Sequence, residues 1–169
     1  MPKQLPPIID VSELRILGID PGLASIGYGI IHGTTALDYG AITTPKTDSL
    51  PLRLKAIHTD ILELVRVYLP EVVAIEYPFF GRNNTNQGVV LQALGAIRLA
   101  LAEAGITDHI LLHQSTIKSA ITSYHADKKD IQAAVQSIFN LATLPYPDDA
   151  ADGIAIAYAA QCGHRSNIR

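Results

Sequence analysis

A chain of 169 residues that is 48% hydrophobic carries enough apolar surface for one sizeable core, and a second large domain is excluded on length. Thirteen basic against 16 acidic residues leave a formal charge of −3, which argues against a protein that holds phosphates by net charge alone. Cys162 stands alone, so no disulfide framework forms within the chain and a reducing, cytoplasmic compartment fits best.

The first thirteen residues, MPKQLPPIIDVSE, hold three prolines and lack the basic start, apolar run and small-residue cleavage site of a secretory signal. They read as a flexible extension, 1–13, ahead of a single domain, 14–164, with a short basic tail at 165–169. LRILGID (14–20), IGYGIIH (26–32) and ALDYGAITT (36–44) are β-branched or aromatic runs divided by turn residues, and predict an antiparallel meander of three strands. From Leu52 to Leu69, apolar residues recur at spacings of three and four between Pro51 and Pro70, predicting a helix. VVAIEY (72–77) reads as a buried parallel strand, almost continuously apolar until its glutamate.

Asn84 to Ala104 reads as a helix, and HILLH (109–113) as a fifth strand. The apolar run from Gly88 to Gly105 is interrupted by Gln92, Arg98 and Glu103, so it is a core helix rather than a membrane span. Two shorter amphipathic helices follow, Ser115 to Ile121 and Asp127 to Phe139, and Asp149 to Gln161 closes the chain as a helix. The expected fold class is therefore α/β, with a five-stranded mixed sheet, antiparallel meander plus parallel strands, flanked by helices.

Four acids fall at notable places on this outline. Asp20 and Glu76 lie at the C-terminal ends of apolar strands, where open α/β sheets gather ligands. Asp149 and Asp152, three residues apart, project from one face of the last helix near its N-terminus. Ala150, Ala151, Gly153 and Ala155 would let that helix lie close on the sheet and bring its acids toward the other two. Each acid has an ordinary reading: Asp20 as a turn residue before Pro-Gly, Glu76 as a solvated strand end, and Asp148 or Asp149 as a helix cap. Asp152 has none of these, and four acids at converging element ends are better explained by a metal site.

Carboxylates without a histidine or cysteine cluster select Mg²⁺, with Mn²⁺ as a substitute, over zinc. Packed acids repel and raise one another's pKa until divalent cations neutralise them. Two ions about 4 Å apart could clamp a scissile phosphate, one generating the attacking hydroxide and one stabilising the leaving oxygen. The expected reaction is phosphodiester hydrolysis.

The runs LGIDPGLASIGYGII, VVAIEYPFF and DDAADGIAIAYAA resemble, in order and spacing, the three acidic motifs of the RuvC family of Holliday junction resolvases, over about Leu14 to His164. The resemblance implies an RNase H-like fold, catalytic metal-binding acids at Asp20, Glu76, Asp149 and Asp152, and two Mg²⁺ per active site. It also implies a homodimer that nicks two opposing strands of four-way junction DNA, with the RuvA and RuvB branch-migration proteins as partners. By the same match Phe79 stacks on an unpaired base at the junction, although Phe79 or Phe80 is also an ordinary core residue by composition. Lys118 in QSTIKSAI matches a lysine near the scissile phosphate, and Lys128 in HADKKDI one that holds DNA phosphate, whereas either alone would be a solvated surface lysine. Arg82 joins them as a DNA-binding candidate.

Departures from the family pattern are specific. Val89 and Leu94 occupy positions where the family carries a lysine and an arginine, which would enlarge an exposed apolar patch and strengthen a dimer contact. Ser123, Tyr124 and His125 replace a longer glycine-rich loop. Two Mg²⁺ ions would take the charge from −3 to +1, while Arg82, Arg98, Lys118, Lys128, Lys129 and the C-terminal tail supply a basic face, so junction binding is expected to be modest and strongly salt-dependent. Three other readings stand beside this one: an actin-like kinase using DPGLASIGYG as a phosphate cradle, a YqgF-type nuclease acting on ribosomal RNA precursors, and a junction-binding protein with weakened cleavage. A single copy of the fold unit counts against the first, and the D-A-A-D helix against the second. Gly27 and Gly29 are expected to let DNA or the acid-bearing helix approach the backbone.

Overall fold

The computed structural model describes residues 13–78 and 87–166. Strands β1 (Arg15–Asp20), β2 (Ser25–His32) and β3 (Thr35–Thr43) form the expected meander. Helix α1 (Leu50–Tyr68) leads to β4 (Val72–Glu76), α2 (Gln87–Glu103) and the short β5 (Ile110–Leu112). Helices α3 (Gln114–Ile121), α4 (Lys128–Ile138) and α5 (Asp148–Ser166) complete the chain. The sheet order is β3-β2-β1-β4-β5, with β1–β2 and β2–β3 antiparallel and β1–β4 and β4–β5 parallel.

Side-chain alternation divides the core into two layers, because successive residues of a strand face opposite sides of the sheet. Leu17, Ile19, Ile26, Ile30, Val73 and Ile75 pack against α1 and α2. Ile16, Ile31 and Ala74 face α3, α4 and α5 on the other side. Asp20 and Glu76 share the parity of Ile16 and Ala74, so both point toward the α5 layer.

Local signals set the element ends. Pro51 sits inside the first turn of α1, where a missing N–H costs nothing, and Leu69 ends the helix in the left-handed region (φ 48°) with its N–H on the Val65 carbonyl. Asp127 and Asp130 cap α4 reciprocally, each side chain accepting from the other's backbone N–H. Helix α5 continues five residues past the expected end at Gln161, since CGHRS contains no proline to stop it.

One expectation is overturned by the packing of α2. Leu94 is 4% exposed and lies in the core beside Ala93, Ile97 and Leu101, so it forms no exposed patch or dimer seam. Its i+3 and i+7 relation to Ile97 and Leu101 puts all three on the buried face of α2, in the layer shared with α1 and the sheet, and an arginine there would bury a charge. Val89 is half-buried.

Candidate metal centre and active site

The parallel register of β1 and β4 aligns Ile19 with Ile75, so the next residues, Asp20 and Glu76, stand side by side at the strand ends. Helix α5 then crosses this face at backbone contact distance. A Cβ on Gly18 would collide with the Gly153 carbonyl and the Ala157 backbone, and one on Gly27 with the Asp149 carbonyl. A Cβ on Gly153 would meet the backbone of Tyr28 and Gly29. The small-residue stripe therefore does what its spacing predicted, and Gly27 serves the approach of the acid-bearing helix.

That approach brings the acids together. Asp20, Asp149 and Asp152 each offer a carboxylate oxygen within 4.8 Å of the others. Glu76 lines the same cavity, of about 260 Å³, with Asp20 and Asp152. Lys118, Lys128 and Gln114 close its polar wall, over Ile117 and Ile131. Gln114 escaped the sequence reading, although its position four residues before Lys118 puts both on one face of α3.

The electrostatics are those of charges the protein does not fully compensate. Burial pushes Asp20 up to about 8, helped by Glu76, Asp152 and Asp149 and opposed by Lys128. Burial likewise raises Glu76 to about 7, with Asp152 adding to the effect and Lys118 opposing it. Asp152 is raised chiefly by burial against the pull of Lys128. Asp148, which is exposed, is instead held below the usual carboxylate range by its hydrogen bond to Lys128.

The two lysines are both at the centre. Lys128 Nζ lies 2.9 Å from Asp148 Oδ2, 3.4 Å from Asp149 Oδ1 and 3.5 Å from Asp152 Oδ2, and these partners raise its pKa. Lys118 Nζ donates to the Ala126 carbonyl at 2.7 Å, which ties α3 to the residue just before the α4 cap. Asp149 has a further partner that no local motif announced: Ser25 Oγ donates to its Oδ2 at 2.5 Å. Phe79 and Arg82 lie outside the described residues.

Hard oxygen donors at this spacing, with protons held abnormally tightly, fit divalent cations of the Mg²⁺ and Mn²⁺ type. Among the described residues, no histidine or cysteine enters the cluster. Among the described residues, no helix is long and apolar enough to cross a membrane.

The family model for "Crossover junction endodeoxyribonuclease RuvC" matches residues 16–160. A crossover junction endodeoxyribonuclease RuvC from Synechocystis sp. is 43% identical over 159 residues, covering 91% of this chain and 95% of that relative. One from Rubrobacter xylanophilus is 41% identical over 155 residues, covering 89% and 86%. Among solved structures, Thermus thermophilus RuvC in complex with Holliday junction substrate superposes with a TM-score of 0.82 at 31% identity, over 90% of this chain and 96% of that one. With the sheet order and acid placement described above, these matches show that the chain belongs to the RuvC family of crossover junction endodeoxyribonucleases and has its RNase H-like fold.

Proposed function

We propose that this chain resolves four-way DNA junctions by paired symmetric phosphodiester hydrolysis, leaving 5′-phosphates and 3′-hydroxyls, with Asp20, Glu76, Asp149 and Asp152 as its catalytic, metal-holding acids. The observation that carries this reading is the convergence of three carboxylate oxygens within 4.8 Å, with Glu76 in the same cavity. The family match and the Thermus thermophilus complex with a Holliday junction support four-way junction DNA as the substrate.

Mg²⁺, two per site with Mn²⁺ as a substitute, is the proposed cofactor; when bound, it supplies Lewis-acid activation of water and neutralises phosphate charge. The chain's own contribution is orientation and charge. Asp20 and Glu76 are fixed by adjacent strands and Asp149 and Asp152 by one helix face, so the donors are positioned before substrate arrives. Lys118, anchored on Ala126 at the cavity wall, places a cation where negative charge develops on the phosphate. Lys128 is assigned to phosphate contact at the same wall, with Phe79 stacking on an unpaired base and Arg82 as a further DNA-binding residue.

The described residues of each chain carry one such centre, and symmetric nicking of two strands needs two, which supports a homodimer as the working unit. RuvA and RuvB are the proposed partners, and the cytoplasm the proposed compartment. A synthetic mobile four-way junction incubated with Mg²⁺ tests the reading directly. Wild type is expected to give paired symmetric nicks, and Asp20→Asn to leave the junction intact and bound. Full cleavage by Asp20→Asn overturns the acid assignment, and a preference for single-stranded RNA overturns the substrate.

A further inference from the structure

The loop after Asp20 returns to the acid centre through Ser25, the half-buried first residue of β2. Its Oγ donates to Asp149 Oδ2 at 2.5 Å, a contact between positions 124 apart in sequence. The other oxygen, Oδ1, faces Lys128 Nζ at 3.4 Å, the same cation that meets Asp152 Oδ2 at 3.5 Å. The two oxygens of Asp149 are therefore inequivalent: Oδ2 is engaged by a protein hydroxyl, and Oδ1 lies on the side of the Lys128 ammonium that Asp152 shares.

An aspartate carboxylate left to itself rotates in a broad, two-fold well, and a hydroxyl on one oxygen selects an orientation. The two residues before Ser25 are themselves held. Thr44 Oγ1 donates to the Leu23 carbonyl at 2.5 Å, and Thr44 N–H to the Ala24 carbonyl at 3.1 Å. Arg53 Nε on α1 in turn donates to Thr44 Oγ1 at 2.8 Å. Thr44 is 5% exposed, one of two buried polar residues among those described, so this brace is shielded from competing water. A chain of hydrogen bonds thus runs from α1 through the loop toward the N-terminus of α5.

We propose that Ser25 is a positioning residue for the metal centre: its hydroxyl, on a loop braced by Thr44 and Arg53, holds the Asp149 carboxylate in one orientation, with Oδ1 on the Lys128 side it shares with Asp152, and so sets divalent-cation affinity. The inference rests on Asp149 being a metal ligand, and the test separates the two. Losing an outer-shell partner of a ligand typically costs 10–100-fold in metal affinity. The measurement is Mn²⁺ binding to the DNA-free protein by titration calorimetry, with metal-free thermal unfolding alongside, for wild type, Ser25→Ala, Ser25→Thr, Thr44→Val and Asp149→Asn.

Ser25→Ala is expected to weaken Mn²⁺ binding about tenfold with little change in metal-free unfolding, and Ser25→Thr, which keeps the hydroxyl, to restore most of it. Asp149→Asn is expected to lose more than Ser25→Ala. Unchanged affinity in Ser25→Ala, or equal weakness in Ser25→Thr, overturns the positioning role while a loss in Asp149→Asn leaves the ligand assignment intact. Unchanged affinity in Asp149→Asn overturns both. Should Ser25→Ala fail to fold, Thr44→Val decides: a severalfold weakening supports the brace, and wild-type affinity overturns it.

Discussion

The family resemblance makes Lys128 a DNA-phosphate contact, and in the structure its ammonium lies among Asp148, Asp149 and Asp152. A lysine at these distances is an internal counter-ion and a competitor for any cation that the acids attract. Its side chain is 59% exposed, so the pairing is screened and contributes little to folding. Its effect on a second cation is larger in consequence: a unit charge a few ångströms away through partly solvated protein is worth about 1 kcal/mol or more. Lys128→Met is therefore expected to tighten Mg²⁺ binding to the DNA-free protein about fivefold, read by calorimetry, while weakening junction binding measured in Ca²⁺. Unaltered Mg²⁺ affinity would remove Lys128 from the centre.

Helix α5 and the β1–β2 pair depend on one another through glycine. Gly153 meets the backbone of Tyr28 and Gly29, and Gly18 meets Gly153 and Ala157, so neither position has room for a methyl group. Adding one forces helix and sheet apart at main-chain atoms, which cannot rotate away as a side chain can. Overpacking of this kind costs about 3 kcal/mol at its upper range. Gly153→Ala is expected to lower the Tm by roughly 10 °C in a protein of this size. It should also weaken Mn²⁺ binding, because Asp149 and Asp152 ride on the displaced helix. A variant with wild-type Tm and metal affinity would contradict the close approach. Burial likewise explains the correction at Leu94: a helix whose Ala93, Leu94 and Ile97 are all enclosed in the core layer with α1 has no freedom to present Leu94 to a partner.

For the molecule as a unit, the acid centre makes stability depend on pH and metal together. Asp20 is raised from 3.8 to about 8 and Glu76 from 4.5 to about 7, so the folded chain binds these protons more tightly than the unfolded chain. The stability they contribute is fully present below the unfolded pKa values and is lost as pH rises through 7 to 8. In EDTA, wild type is expected to melt at progressively lower temperature between about pH 5.5 and 8.5, and Asp20→Asn to flatten that slope. Saturating Mg²⁺ should raise the wild-type Tm most at the high-pH end, since ligands that bind only the folded state stabilise it by mass action. Equal slopes for wild type and Asp20→Asn would show that Asp20 is not the half-buried, proton-binding group of the centre.

Strand and helix order, both layers of the core and the candidate acids are legible in the primary structure, because they follow from local periodicity and from the cost of placing charge after an apolar run. ILGID and VVAIE each announce a buried strand ending in an acid, and D-A-A-D announces two acids on one helix face. Gln114 was within reach of the same logic, four residues from Lys118. Leu94, Lys128 and Ser25 were not. Whether Leu94 faces solvent depends on how α2 is rotated against the sheet, and whether Lys128 meets DNA or carboxylates depends on where α4 sets its first turn relative to α5. The Ser25 bond joins residues separated by almost the whole domain, and no local pattern encodes a contact that exists only once helix and sheet have closed to backbone distance.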